Sequence, residues 1–147
     1  MTGRHILAAA GMVFLAGLAA CSDNSGPAPE VFTATLSGAA EVPAKTSNGT
    51  GSASFTVNDD RTITYDLAVS GITATAQHIH GPADATVPAG VIVGLTIGTN
   101  QTITPTSLTG AVNYDSLLVL LRNGHSYVNV HTAANPGGEI RGQILRK

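Results

Sequence analysis

Apolar and polar residues alternate with a period of two from Phe32 onward. In "FTATLS" (32–37) Phe32, Ala34 and Leu36 share one face. In "SASFTV" (52–57) Ala53, Phe55 and Val57 do the same, as do Ile63, Tyr65, Leu67 and Val69 in "TITYDLAV" (62–69). Side chains of a strand point alternately to opposite faces, so this spacing predicts strands with one buried face. The intervening "GAAEVPAKTSNGTG" carries Pro43, Asn48-Gly49 and Gly51 and reads as a loop. Glu41-Val42-Pro43 shapes it, with Glu41 as turn former or ligand. "NDDR" reads as a hairpin turn.

The pattern continues through "TATAQHIH" (73–80), the continuous apolar run "VIVGLTI" (91–97), the weaker "SLTGAV" (107–112), "SYVNVHT" (126–132) and "EIRGQILRK" (139–147). "PADATVPAG", "GTNQTITP" and "AANPGG" read as loops. One stretch breaks the period: "YDSLLVLLRNG" places Leu117, Leu118 and Leu121 on a helical face, with Asn123-Gly124 as its stop. About eight short strands with regular turn signals predict an all-β fold. The expected form is an antiparallel Greek-key β-sandwich or flattened barrel with one short helix.

The first twenty residues follow a different rule. Arg4 and His5 precede an apolar run from Ile6 to Ala20, then small residues lead to Cys21. This is the layout of an export signal, too short for a comfortable membrane span. "LAAC" resembles the bacterial lipobox, which implies that Cys21 becomes a lipidated first residue. The expected organisation is a lipoprotein signal peptide at 1–20, a lipidated cysteine and flexible tether at 21–31, and one domain at 32–147. Ser22 follows the cysteine, which under the lipoprotein reading suggests placement at the outer membrane where the cell has one.

Composition narrows the function. Cys21 is the only cysteine among 147 residues, so neither an internal disulfide nor a thiolate metal site can form. The formal net charge is −2 and no basic run exists, which argues against nucleic acid as a partner. No phosphate-binding glycine loop, Ser-His-Asp order or carboxylate pair stands out.

Three of the five histidines carry the remaining chemistry. In "QHIHG" His78 and His80 share a face opposite Ile79. In "YVNVH" Tyr127, Asn129 and His131 share a face opposite Val128 and Val130. If the aliphatic residues turn inward, all three imidazoles turn outward. Alternate residues of a strand lie about 6.6 Å apart, which lets two imidazoles converge on one ion. Zinc and copper both accept imidazole. The same spacing also fits three solvated polar residues on a sheet surface. His125, beside Gly124, is expected to be exposed and uninvolved.

"ATLSGAAEVPAKTSNGTGSASFTV", "TITYDLAVSGI", "AQHIHGPA" and "YVNVHTAANPGGEIRGQI" together resemble the CHRD domain. That domain was first recognised in chordin, an extracellular antagonist of bone morphogenetic proteins, and is widespread in bacterial exported proteins. The resemblance runs from about Phe32 to Leu145. A more distant likeness is to the copper side of Cu/Zn superoxide dismutases, also antiparallel sandwiches. It implies that His78, His80 and His131 match copper ligands, and that Arg141 matches an anion-guiding arginine. The zinc side has no match: residues 81–124 lack histidine, and Asp84 stands alone in its loop. The likeness therefore implies at most a mononuclear three-histidine site. Glu139 and Arg141 share a strand face and are expected either to form a partly exposed ion pair near His131 or, instead, to orient an imidazole from behind.

The expectation is a lipid-anchored, extracytoplasmic binding or scaffolding module at the cell envelope, more a binder than an enzyme. Its partners would be the membrane, through Cys21, and an envelope protein. The alternative is a copper- or zinc-binding envelope protein using the three histidines, with weak dismutase-like activity.

Overall fold

The structure, a computed structural model, describes Met1, residues 28–110 and residues 112–147. The expected export signal and the expected lipidation site Cys21 lie outside the described residues, Met1 apart. Among the described residues nine strands form one antiparallel sheet: β1 (Val31–Ser37), β2 (Thr50–Val57), β3 (Ile63–Ser70), β4 (Ala74–His80), β5 (Val91–Gly94), β6 (Gly98–Ile103), β7 (Tyr127–Thr132), β8 (Ile140–Gln143) and β9 (Leu145–Arg146). The spatial order is β5-β4-β7-β8-β1-β2-β3-β6, with β9 beside β1. The edge strands β5 and β6 are consecutive in the chain, joined only by Leu95–Ile97, so the sheet curls until its ends nearly meet. Leu95 N–H still donates to the Gln77 carbonyl, and Thr96 N–H donates to the Tyr65 hydroxyl, which bridges the gap from the β3 side.

The alternation read from the sequence fixes which face closes inward. Phe32, Ala34, Leu36, Ala53, Phe55, Ile63, Tyr65 and Leu67 are all buried in one core, with Ile79, Val128, Val130 and Ile140 added from the other strands. Phe55 stacks on Tyr65 across the β2–β3 pair, centroids 5.8 Å apart. Helix α1 (Tyr114–Arg122) adds Leu117 and Leu121, both fully buried. Asn113 caps it by accepting from Ser116 N–H at 2.9 Å, with Asp115 in the first turn and Arg122 in the last. These charges complement the helix dipole. Arg122 also donates to Glu30, ahead of β1, which ties the domain's first described residues to the helix.

Four local expectations need correction. "GTNQTITP" is not a loop: it forms β6, an edge strand that buries Ile103 alone. "VIVGLTI" is a strand only as far as Gly94, and its two ends are exposed. The described residues of "SLTGAV" do not form a strand. A 3-10 turn at Pro105–Ser107, closed by a Thr104–Ser107 capping box, leaves one isolated bridge from Leu108 to Val93. The final stretch is two strands, because buried Ile144 turns its N–H to the Ser126 carbonyl between β8 and β9.

Candidate metal centre

The outward face of β4, β7 and β8 carries the site. Register places His78 beside Asn129, and Asn129 beside Arg141. One step along, His80 lies beside Tyr127, and Tyr127 beside Gln143. His131 follows Asn129 by two residues on β7, so it returns to the same face beside Ala76. The inward residues between them, Ile79, Val128 and Val130, are fully buried. The phase expected from the sequence therefore holds.

This face is not open to solvent as a bare sheet surface would be. Residues 81–90 and 133–139 fold back over it, and His80 and His131 are only 7% and 9% exposed. His78 is half-buried. Each of the three offers a ring nitrogen, and these nitrogens all lie within 4.8 Å of one another.

The hydrogen bonds decide which nitrogens are free. His80 Nδ1 lies 2.9 Å from the Ala89 carbonyl, and His131 Nδ1 lies 2.9 Å from the Pro136 carbonyl. A carbonyl only accepts, so both Nδ1 atoms carry the proton and both Nε2 atoms present lone pairs. His80 Nε2 is buried and has no partner. His131 Nε2 accepts from His78 Nδ1–H at 3.1 Å. The nitrogens that face one another are Nδ1 of His78 and Nε2 of His131, and ligation through His78 Nδ1 requires its proton to move to Nε2 of the same ring; His80 adds its unpartnered Nε2. Backbone carbonyls that fix the tautomer and orientation of an imidazole are the usual outer support of a metal ligand.

Burial favours the unprotonated ring at His80 and His78. Burial holds the His80 imidazole below the usual histidine range; the Ala89 contact opposes this, while His131, His78 and Arg141 add to it. Burial also lowers His78, with His131 adding to it. Buried Nε2 without a donor or ion nearby carries a desolvation cost of about 1–3 kcal/mol, which an ion would remove.

Arg141 is 2% exposed and faces the loop, not solvent. Its guanidinium donates to the Asp84 carbonyl at 2.7 Å and to the Val87 carbonyl at 3.1 Å. It also packs over the Tyr127 ring, 3.5 Å from the centroid. Tyr127 in turn stacks on His80, centroids 5.0 Å apart at 10°. The Tyr127 hydroxyl accepts from Ala89 N–H at 3.0 Å, the residue whose carbonyl holds His80. Gln143 Nε2 adds donors to the Ala83 and Gly124 carbonyls. Arg141, Tyr127 and Gln143 together pin the 81–90 loop over the histidines.

Glu139 does not pair with Arg141. Its carboxylate accepts from Ser47 at 2.8 Å and from Thr132, and these bonds hold its pKa below the usual range. Glu41 is buried beside Asn129, whose Nδ2 donates to it at 3.5 Å. His125 is exposed, and its carbonyl accepts from Ala83 N–H. Sequence reasoning missed Tyr127 as a site residue. Its alternation with Asn129 and His131 in "YVNVH" was the available signal.

A curled antiparallel sheet with a covered three-imidazole cluster on its outer face defines the class of this protein. The chain belongs to the CHRD domain family, whose profile matches residues 32–144. No curated protein and no solved structure matches it significantly. All three cluster histidines fall within the matched stretch.

Proposed function

We propose that this CHRD-domain protein binds a copper or zinc ion through His78, His80 and His131. One observation carries the reading: His80 Nε2 is buried without a partner and belongs to a trio of ring nitrogens within 4.8 Å. A scaffolding surface gives no physical reason to bury an unsatisfied imidazole under a loop fastened by Arg141, Tyr127 and Gln143. Three imidazoles leave a coordination position open, and a metal held there would supply Lewis acidity or, with copper, electron transfer.

The ion would be bound at the cell envelope. The export-signal pattern and the lipobox-like "LAAC" support delivery of the domain outside the cytoplasm, tethered through Cys21. Among the described residues no helix is long and apolar enough to cross a membrane. Dismutase-like activity is a narrower reading of the same site. A rate no greater than that of free copper removes it without touching metal binding.

The direct test is metal content. Tag-free protein, loaded with copper or zinc and desalted, is expected to retain one equivalent. The His78→Ala/His80→Ala/His131→Ala variant is expected to retain none. Equal retention by the folded variant contradicts the reading.

A further inference from the structure

The cluster is built entirely of neutral donors. Among the described residues no carboxylate or thiolate joins the three histidines. Behind His80 lies a fixed positive charge, since Arg141 is almost fully buried and stacked on the far face of Tyr127. A guanidinium keeps its proton inside proteins.

The acidic groups nearby offset this charge poorly. Asp84 gives Arg141 its backbone carbonyl and turns its carboxylate to Thr86. Glu139 is ionised, yet it spends its oxygens on Ser47 and Thr132 at the half-exposed rim, where water screens it. Glu41 is not among the cluster's donors and accepts from Asn129; burial raises its pKa, with Arg141 the largest opposing influence.

An ion in the cluster therefore meets no anionic ligand and one buried cation. Coulomb repulsion scales with the charge of the ion, so a divalent ion meets twice the penalty of a monovalent one. We propose that the cluster selects monovalent copper over zinc, and that the buried Arg141 charge sets this preference. The inference rests on the metal-binding reading above and names the ion that site takes.

Two competitions on the tag-free protein test it. Cu(I) is titrated against bicinchoninate under ascorbate, and Zn(II) against a chromophoric zinc chelator. The protein is expected to hold Cu(I) more tightly than Zn(II) by at least about tenfold, a difference of about 1.4 kcal/mol. Arg141→Gln is expected to narrow that ratio about tenfold and to lower the Cu(II)/Cu(I) potential by about 59 mV, the one-electron equivalent. Arg141→Lys, which keeps the charge, is expected to retain the wild-type potential. Zinc binding as tight as Cu(I) binding overturns the inference while leaving the metal site intact. So does an unchanged potential in a folded Arg141→Gln variant. If neither ion binds, the metal reading itself fails. The wild-type ratio decides the matter even where the variants fold poorly.

Discussion

The imidazole of His80 lies nearly parallel to the phenol ring of Tyr127, and both residues address Ala89: His80 Nδ1–H donates to its carbonyl, and Tyr127 accepts from its N–H. The pair therefore couples loop position to imidazole tautomer. Tyr127→Phe keeps the stack and removes only the hydroxyl, so it should destabilise the fold by about 1 kcal/mol. It should also weaken metal binding by about tenfold, the scale of outer-support changes. Chemical denaturation and metal competition check the two effects. Unchanged metal affinity would show that the loop contact does not position His80.

Strand phase gives a second prediction. Ile79 is fully buried between two outward histidines. Ile79→Ala should cost about 2–5 kcal/mol, the range for truncating a buried aliphatic residue. His78→Ala, on the half-buried outer face, should cost under about 1 kcal/mol while abolishing tight metal binding. Urea unfolding of both variants checks the contrast. Comparable losses of stability would mean that His78 contributes to the core.

A third prediction concerns pH. Asn129 Nδ2 donates to Glu41, while Glu41 Oε1 and Asn129 Oδ1 are both buried without partners. A protonated Glu41 carries an O–H donor that the carboxylate lacks, and two buried acceptors without donors favour that form. Burial raises its folded-state pKa above the unfolded value, which lies near about 4.3. The stabilising contribution is then complete below the unfolded value and is lost as pH rises through the folded one, at about 1.4 kcal/mol per unit of displacement. Glu41→Gln mimics the neutral acid and should remove that loss. Its stability advantage over wild type should grow from acidic toward neutral pH. Thermal unfolding across pH measures it, and a variant uniformly less stable at every pH would contradict a raised folded-state pKa for Glu41.

Gly138 closes the same pair from above. Its φ of +128° lies where side chains are strained, and a Cβ there would come within 2.7 Å of Asn129 Nδ2 and 2.8 Å of Glu41 Oε1. Gly138→Ala should therefore destabilise by about 1–3 kcal/mol. Its unfolding midpoint in denaturant checks this, and a neutral effect would mean that the 133–139 loop shifts freely.

The strands that wall the core were legible because one face of each is buried. Phe32, Phe55 and Leu67 fall on alternating positions, and the Leu117/Leu121 spacing marked the helix just as plainly. Strand β6 was not legible. Only Ile103 of its six residues is buried, so an edge strand of polar composition carries no period to read. The direction of the three imidazoles was legible from Ile79, Val128 and Val130. Their cover was not, because it depends on where residues 81–90 return. That return is fixed by Arg141 and Gln143 bonding to backbone carbonyls, contacts that no local pattern encodes. The Glu139–Arg141 pairing failed for a related reason: Ser47 and Thr132 lie closer to the carboxylate than the guanidinium does, since Arg141 is committed to the loop.

The most direct test is a metal titration followed through the histidine ring nitrogens by 15N NMR. The resonances of His78, His80 and His131 should shift or broaden together and saturate at one equivalent, while exposed His125 stays unchanged. Rings that respond independently, or a response confined to His125, would contradict a three-imidazole centre.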